Sequence, residues 1–159
     1  MTEELRMSDI SVMRPGEERD ISSLVVKVFN EFVSSEHGDE GLKTFLSFAE
    51  PDRFSSDVEN GCIVLVARVS KKIVGIIKIR DNSHIGMLFV DPAYHKRGIA
   101  KSLWAKAREI CLSRKSSLIR FTVSSSTYAV PIYEKMGFSV HGIKQTKDGI
   151  VFTPMICRV

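Results

Sequence analysis

The chain has 159 residues, of which 43% are hydrophobic and 26% charged, and it carries a formal net charge of +4. This length and balance predict one globular domain, residues 1–159, that is large enough to bury a substantial core. Its apolar runs are far shorter than the roughly 18 residues of a membrane span, and the first ten residues lack an apolar signal segment, so we expect a cytoplasmic protein without membrane contact.

The basic residues are spread along the chain instead of forming one run, which argues against nucleic acid as a partner. A modest positive potential suits a ligand with several phosphates better. The three cysteines, Cys62, Cys111 and Cys157, lie far apart among apolar neighbours, and the sequence therefore predicts reduced thiols without disulfides or a metal site. The oligomeric state stays open, a homodimer included.

The first third of the chain predicts one strand and two helices. Residues 9–14 alternate between polar and apolar, which indicates a strand. Apolar residues recur at helical spacing over 21–32 and again from about Glu40 to Ala49, where Pro51 ends the pattern. His37 lies in the polar stretch between the two helices, and we expect its ring to face solvent.

Three strands follow in the middle of the chain. Cys62 to Val69 and Ile73 to Ile79 form a predicted hairpin, in which Gly75 marks a bulge or a close approach of another backbone. The short apolar run 85–90 predicts a central strand. Pro92 ends that strand because it has no N–H to continue a ladder.

A basic loop after the central strand leads into an amphipathic helix. The apolar positions from Ile99 onward recur at helical spacing, so the helix is predicted to start close to Gly98. The first N–H groups of a helix lack partners within it and the helix dipole is positive there, so a phosphate can bind. Positive charge is added by Lys96, Arg97 and Lys101.

The last part of the chain predicts a strand, a short helix and two more strands. The strand covers 118–123, and the helix covers 127–136 with glycine past its end. The final strands, about 138–144 and 150–158, flank a turn at 147–149.

Two common phosphate-binding loops do not fit the basic loop. A P-loop ending at Lys101 and Ser102 would need glycine at positions 95 and 100, and no G-x-G-x-x-G pattern is present. The segment His95-Lys96-Arg97-Gly98-Ile99-Ala100 instead resembles the acetyl-CoA pyrophosphate loop of the GCN5-related N-acetyltransferases (GNAT), Gln/Arg-x-x-Gly-x-Gly/Ala. His95 departs from that pattern at its first position.

A second motif strengthens this resemblance. Ser126-x-x-Ala129-x-x-x-Tyr133-x-x-x-Gly137-Phe138 is similar to the family's Asn-x-x-Ala-x-x-x-Tyr-x-x-x-Gly-Phe, with serine in place of asparagine. The order of predicted elements also resembles the family's over nearly the whole chain, with the motifs within about 62–138. The resemblance implies an α/β (α+β) acetyltransferase fold: a mixed, mainly antiparallel sheet of six to seven strands, split around Val90 and flanked by about four helices.

The resemblance further implies an N-acetyltransferase that uses acetyl-CoA as co-substrate and a primary amine as acceptor. Tyr133 is then the acid that protonates the CoA thiolate. The N–H groups of Leu88, Phe89 and Val90 would hold the pantetheine arm and polarise the acetyl oxygen. The remaining expected CoA contacts are His95, Lys96, Arg97, Gly98, Ile99, Ala100, Lys101 and Ser126, together with Tyr133 itself.

The general base is harder to assign. Some relatives place a glutamate five residues before the asparagine position, where this chain has Phe121. His84, with an ordinary pKa near 6.5, and Glu40 are the two candidates for a proton relay through water. The other hypothesis is an acceptor amine whose pKa is low enough that no dedicated base is needed.

The main alternative is a non-catalytic acyl-CoA-binding or regulatory module on the same fold. Both proteins would retain CoA, but only the enzyme releases free thiol from acetyl-CoA and amines. Fold by itself does not decide between these functions.

Overall fold

The computed structural model describes residues 9–159, which contain five α-helices and eight strands. The elements are β1 (Ile10–Val12), α1 (Glu18–Phe32), α2 (Asp39–Phe48), α3 (Pro51–Glu59), β2 (Ile63–Val69), β3 (Lys72–Arg80), β4 (His84–Val90), α4 (Ile99–Arg114), β5 (Arg120–Ser125), α5 (Val130–Lys135), β6 (Ser139–Val140), β7 (Gln145–Lys147) and β8 (Ile150–Arg158).

The strands form one mixed sheet in the order β1-β2-β3-β4-β5-β8-β6, and β7 pairs with β8 outside this path. Among the described strands, the β4–β5 pair is parallel and every other pair is antiparallel. The predicted mixed, mainly antiparallel sheet is therefore confirmed. It has eight strands instead of six to seven: β6 covers only two residues of the predicted strand 138–144, and β7 lies beyond that segment, before the last strand.

The sheet opens between β4 and β5. These strands pair only through His84 with Thr122 and Ile85 with Val123, and beyond these residues they diverge. A register shift against β3 makes Gly86 an extra residue in β4, and such a bulge bends its strand. The predicted split thus exists, but it begins at Gly86 and not around Val90.

Helices cover both faces of the sheet. On one face α1, α2 and α3 bury apolar side chains against β2, β3 and β4, including Val25, Phe45 and Phe54. On the other face α4 packs Leu103 and Trp104 against the sheet, in a cluster that also contains Phe121, Tyr133 and Met155. The gap between β4 and β5 joins the two faces.

One helix was missing from the sequence prediction. Pro51 does end the pattern of α2, but it also stands at the first position of α3. Proline fits that position because the first N–H groups of a helix have no partner within it. This helix carries Arg53, which lines the cavity described below, and Asp57, which binds the lining residue Lys78.

Gly75 lies beside a bulge, one of the two features that its position in a strand predicted, and the atoms that approach it are side-chain atoms of α4 instead of another backbone. A Cβ there would lie 3.1 Å from Ile99 Cγ2 and from Leu103 Cδ1, so α4 approaches β3 closely. The ladder between β2 and β3 also shifts register after Ala67, the partner of Gly75.

The cysteines are present as free thiols, with Cys111 buried and the other two partly buried. Between residues 9 and 159, no helix combines the length and the apolar character that crossing a membrane requires.

Candidate active site

A cavity of about 1080 Å³ follows the gap between β4 and β5. Its walls come from α1, α2, β4, the start of α4, α5 and the turn between β7 and β8. Pockets for small ligands usually span about 300–1,000 Å³, so this cavity has room for a long ligand together with a second, smaller one.

The start of α4 forms one end of this cavity. Gly98 precedes the helix in a left-handed conformation, with φ at 77°. The N–H of Ser102 donates to the carbonyl of Gly98 at 2.9 Å, so the N–H groups of residues 99–101 precede the first helical hydrogen bond. No atom lies within 4 Å of the position that a Cβ of Gly98 would take, and the backbone is therefore open to a ligand.

Two of the three basic side chains predicted for this loop belong to residues lining the cavity, Lys96 and Lys101. Arg97 is not among the lining residues. Its guanidinium lies 5.1 Å from the ring centre of Tyr94, an arrangement typical of a cation–π contact. Lys135 on α5 adds a lining cation that the sequence analysis did not select.

His95 occupies the position at which the loop departs from the family pattern. Its Nε2 lies 2.8 Å from the carbonyl oxygen of Val90, so the ring N–H donates to the end of β4. The ring also lies 5.5 Å from that of Phe32 on α1. The histidine thus fastens the loop to the strand, and it lines the cavity at the same time.

Leu88, Phe89 and Val90 line the gap where β4 has left β5. Ile99 and Ala100 line the same cavity from α4. The strand edge facing the gap has no β5 partner beyond Ile85, so its backbone polar groups other than the Val90 carbonyl, which His95 binds, are available to a ligand.

Tyr133 lies on α5, in the wall of the cavity and within the core below α4. Only 5% of its surface is exposed, and its ring packs edge-on against Phe138 at 5.7 Å. Burial raises the pKa of this phenol well above its ordinary value. The hydroxyl is therefore protonated at neutral pH, as a proton donor must be.

Ser126 lies just before α5, and its Oγ accepts a hydrogen bond from the N–H of Ala129 at 3.2 Å. It lines the cavity together with Ala129. Phe121, at the position where some relatives carry a glutamate, is fully buried and meets Trp104 edge-on at 4.9 Å. This position therefore serves packing in this chain.

The two candidate bases occupy different environments. His84 lines the cavity, and its Nδ1 lies 2.8 Å from Thr122 Oγ1. Burial, helped by the nearby charge of Arg80, lowers the pKa of His84 to about 4. Glu40 is exposed in the first turn of α2 and is not among the lining residues. The structure thus brings His84 to the cavity and leaves Glu40 outside it.

His37 does not face solvent as expected. Its Nδ1 lies 3.1 Å from the carbonyl oxygen of Val33, and its ring lies 5.5 Å from that of Phe29. Among the described residues, its Nε2 is the one buried side-chain nitrogen or oxygen that has no hydrogen-bond partner. A carbonyl oxygen only accepts, so the Nδ1–H of His37 donates this hydrogen bond.

The sequence analysis also missed a cationic cluster on β3 and α3. The Nζ of Lys78 lies 2.7 Å from one carboxylate oxygen of Asp57, and the Nε of Arg53 lies 2.9 Å from the other. Arg80 lies two residues beyond Lys78 and so on the same face of β3. The sequence did contain a signal for this cluster. Lys78 and Arg80 alternate with Ile77 and Ile79 at the end of β3, after an apolar run.

A comparison with family models gives a match to the acetyltransferase (GNAT) domain over residues 33–159. The chain belongs to the GNAT family. The resemblance carried by the loop at 95–100 and the motif at 126–138 is therefore confirmed, and the split sheet is the fold of this family.

Three relatives of this GNAT chain are informative. A UPF0039 protein of Schizosaccharomyces pombe is 32% identical over 96 residues, and the match covers 60% of each chain. The uncharacterized N-acetyltransferase YafP of Escherichia coli is 27% identical over 134 residues, which cover 84% of this chain and 81% of YafP. The glucosamine 6-phosphate N-acetyltransferase of Trypanosoma brucei brucei is 38% identical over 62 residues, covering 39% and 41% of the two chains.

Solved structures share the fold over nearly the whole chain. A GCN5-related N-acetyltransferase from Rhodopseudomonas palustris superposes with a TM-score of 0.80 at 17% identity, covering 100% of this chain and 98% of its own. The PaiA N-acetyltransferase of Thermoplasma acidophilum, in complex with coenzyme A, gives 0.77 at 15% identity and covers 94% and 98%.

Proposed function

We propose that this GNAT protein is an N-acetyltransferase that transfers the acetyl group of acetyl-CoA to a primary amine by direct attack. The observation that carries the proposal is the continuity of one cavity. It joins an open helix start with flanking lysines, an unpaired strand edge and a protonated, buried tyrosine.

The residues at the start of α4 fit a pyrophosphate. Three N–H groups, those of residues 99–101, precede the first helical hydrogen bond, and Gly98 leaves the approach to them clear. Anions bind such helix starts through these donors and the positive end of the dipole. Lys96 and Lys101 line the same end and add charge. The PaiA complex with coenzyme A supports the choice of ligand.

The free edge of β4 fits the thioester. Residues 88–90 line the gap, and the edge of β4 on that side has no β5 partner there, so an N–H of this edge is available to the acetyl oxygen. Such a donor, fixed before the reaction, stabilises the negative charge that develops on that oxygen.

Tyr133 fits the role of the acid. Attack of the neutral amine on the acetyl carbon forms the new C–N bond, and the C–S bond then breaks to give a thiolate. The attacking nitrogen loses its extra proton to solvent, the phenol gives its proton to the sulfur, and solvent later returns a proton to the tyrosine. The raised pKa of Tyr133 keeps that proton in place until a strong base is present.

The acceptor amine enters this scheme without a dedicated base. Glu40 lies outside the cavity lining, and His84, with a pKa of about 4, is a weak proton acceptor at neutral pH. The trypanosome relative is named for an amino sugar phosphate, which supports a primary amine as the acceptor. We propose that the fraction of amine already neutral is the reactive species.

Thiol release from acetyl-CoA with a panel of amines tests the proposal. The enzyme should release thiol only when a suitable amine is present. In Tyr133→Phe, kcat should fall by about 10²-fold or more, while the affinity for acetyl-CoA stays close to that of the wild type. Tyr128→Phe removes another phenol from the same cavity wall and should lower kcat far less.

The non-catalytic alternative makes a different prediction in the same assay. A binding module would retain acetyl-CoA in calorimetry and release no thiol with any amine. A full-rate Tyr133→Phe variant would keep the enzymatic activity but return Tyr133 to a packing role against Phe138.

A further inference from the structure

The cavity has a second cationic end. The first is the loop at the start of α4, whereas the second is built on the sheet. Arg53, Lys78 and Arg80 line it, next to His84 at the start of β4. Among the described residues that line the whole cavity, the one acidic residue is Asp148, in the turn between β7 and β8. Lysines at the start of α4 already account for the charge of a CoA pyrophosphate.

The charges at this end do not cancel. Asp57 is bound by both Lys78 and Arg53, so these three groups together leave one positive charge. Arg80 adds a second. The carboxylate of its neighbour Asp81 lies 4.0 Å from the guanidinium of Arg80. Both side chains are exposed, and an exposed ion pair contributes little. An excess of about two positive charges therefore faces the cavity.

The cluster is held in a defined position. Lys78 is 7% exposed, and its Nζ lies 5.8 Å from the ring centre of Phe54 as well as 2.7 Å from Asp57. Its Cε lies 3.3 Å from where a Cβ of Gly86 would stand, so the bulge residue leaves room for the lysine stem. The cations therefore sit at the point where β4 leaves β5.

Arg80 is the member best placed to reach a ligand. It pairs across the ladder with His84, and its side chain is 58% exposed. Arginine presents a planar fork of donors that matches a carboxylate or a phosphate. This guanidinium lines the cavity together with His84 at the start of β4.

We infer that the acceptor carries a carboxylate or phosphate, which Arg80 binds beside the Lys78–Asp57–Arg53 cluster. This inference rests on the proposed function and names its substrate class. Amines with several positive charges are repelled by the same cluster and are poor acceptors.

Matched pairs of amines test the inference. α-Amino acids are compared with their primary amides, and phosphoethanolamine with ethanolamine, with each rate normalised to the concentration of neutral amine. The first pair reports a carboxylate and the second a phosphate. In at least one pair, kcat/KM for the anionic member should exceed that of the neutral member. Arg80→Met should remove the preference by lowering the anionic rate by about 10- to 100-fold, mainly through KM.

Arg19→Met is the matched control, because it also removes one positive charge but lies exposed in the first turn of α1, outside the cavity lining. It should leave the preference unchanged. If Arg80→Met lowers the anionic and neutral rates equally, or if the wild type shows no preference for an anionic member, the inference is wrong.

Calorimetry with the same amines on the CoA-saturated protein separates this inference from the proposed function. Tighter binding of an anionic amine, lost in Arg80→Met and kept in Arg19→Met, supports the anion site whether or not thiol is released. Absence of thiol release with such binding would refute the transferase alone. Binding without an anionic preference would overturn the inference even for an active enzyme.

Discussion

The strongest test of the pyrophosphate site is Gly98→Ala, because the structure separates its effect on the ligand from its effect on the backbone. The φ of 77° at Gly98 is unfavourable for alanine by about 1–2 kcal/mol. No atom lies within 4 Å of the added Cβ, so no clash within the protein is expected. The methyl group instead enters the space from which a phosphate reaches the N–H groups of residues 99–101.

Gly61→Ala provides the matched control. Gly61 has a φ of 95°, also with nothing within 4 Å of its Cβ position, but it lies between α3 and β2 and does not line the cavity. Both variants should lose similar stability, each about 2–4 °C in Tm per kcal/mol for a chain of this size. The difference between them in acetyl-CoA binding then reports the ligand site.

The expected loss of affinity follows from the donors at risk. A hydrogen bond to a charged group contributes about 1.5–3 kcal/mol, so loss of one such bond raises Kd by about 10- to 150-fold. Isothermal calorimetry with acetyl-CoA measures this directly. A Kd for Gly98→Ala equal to that of Gly61→Ala would refute a pyrophosphate site at this helix start.

Two further predictions concern charge. Since His84 has a pKa of about 4, it stays neutral across pH 6–9. The acid-side limb of the plot of rate against pH should therefore persist in His84→Ala, and its midpoint should move with the pKa of the acceptor amine. A limb with a pKa near 6.5 that disappears in the variant would make His84 the base. Burial of Asp57 raises its pKa, but hydrogen bonds from Lys78 and Arg53 outweigh this and the net shift is downward. The pair therefore stabilises the fold above the ordinary carboxyl pKa, and this stability is lost as the pH falls through the lowered one. Asp57→Asn should lower the free energy of unfolding, measured by chemical denaturation, by about 3–5 kcal/mol, because it leaves Lys78 buried without its carboxylate. The control Glu59→Gln, at the exposed end of α3, should lower it little. Equal losses in the two variants would contradict this account.

The proposed phosphate end of the cavity was predictable because its residues are consecutive in sequence. A strand, a turn, a glycine and a helix start occur within a short stretch, and this local backbone geometry is of the kind that binds anions. The resemblance of this stretch to the GNAT loop added the identity of the ligand. The direction of Arg97 was missed, since its contact with Tyr94 depends on how the loop folds back, and Lys135 was missed because it comes from the distant helix α5.

The acceptor end was not predictable to the same degree, because it is assembled from distant segments. Asp57 and Lys78 are far apart in the chain and meet only when α3 packs on β3. Helix α3 itself was overlooked, because proline at position 51 was interpreted only as the end of a helix. The burial of His37 similarly depends on Phe29 and on the carbonyl of Val33, which the polar sequence around it does not reveal.

The cationic cluster offers a physical reason why the proposed reaction needs no dedicated base. A nearby positive charge lowers the pKa of any group that becomes cationic, as Arg80 helps to do for His84. An acceptor amine held beside the same cluster experiences the same repulsion in its ammonium form but not in its neutral form. Each unit by which its pKa falls increases the neutral fraction about tenfold at a pH well below that pKa. If an anionic group of the acceptor binds Arg80, it fixes the molecule there while Lys78 and Arg53 still favour the neutral amine. The cluster would then replace the carboxylate that some relatives carry where this chain has Phe121.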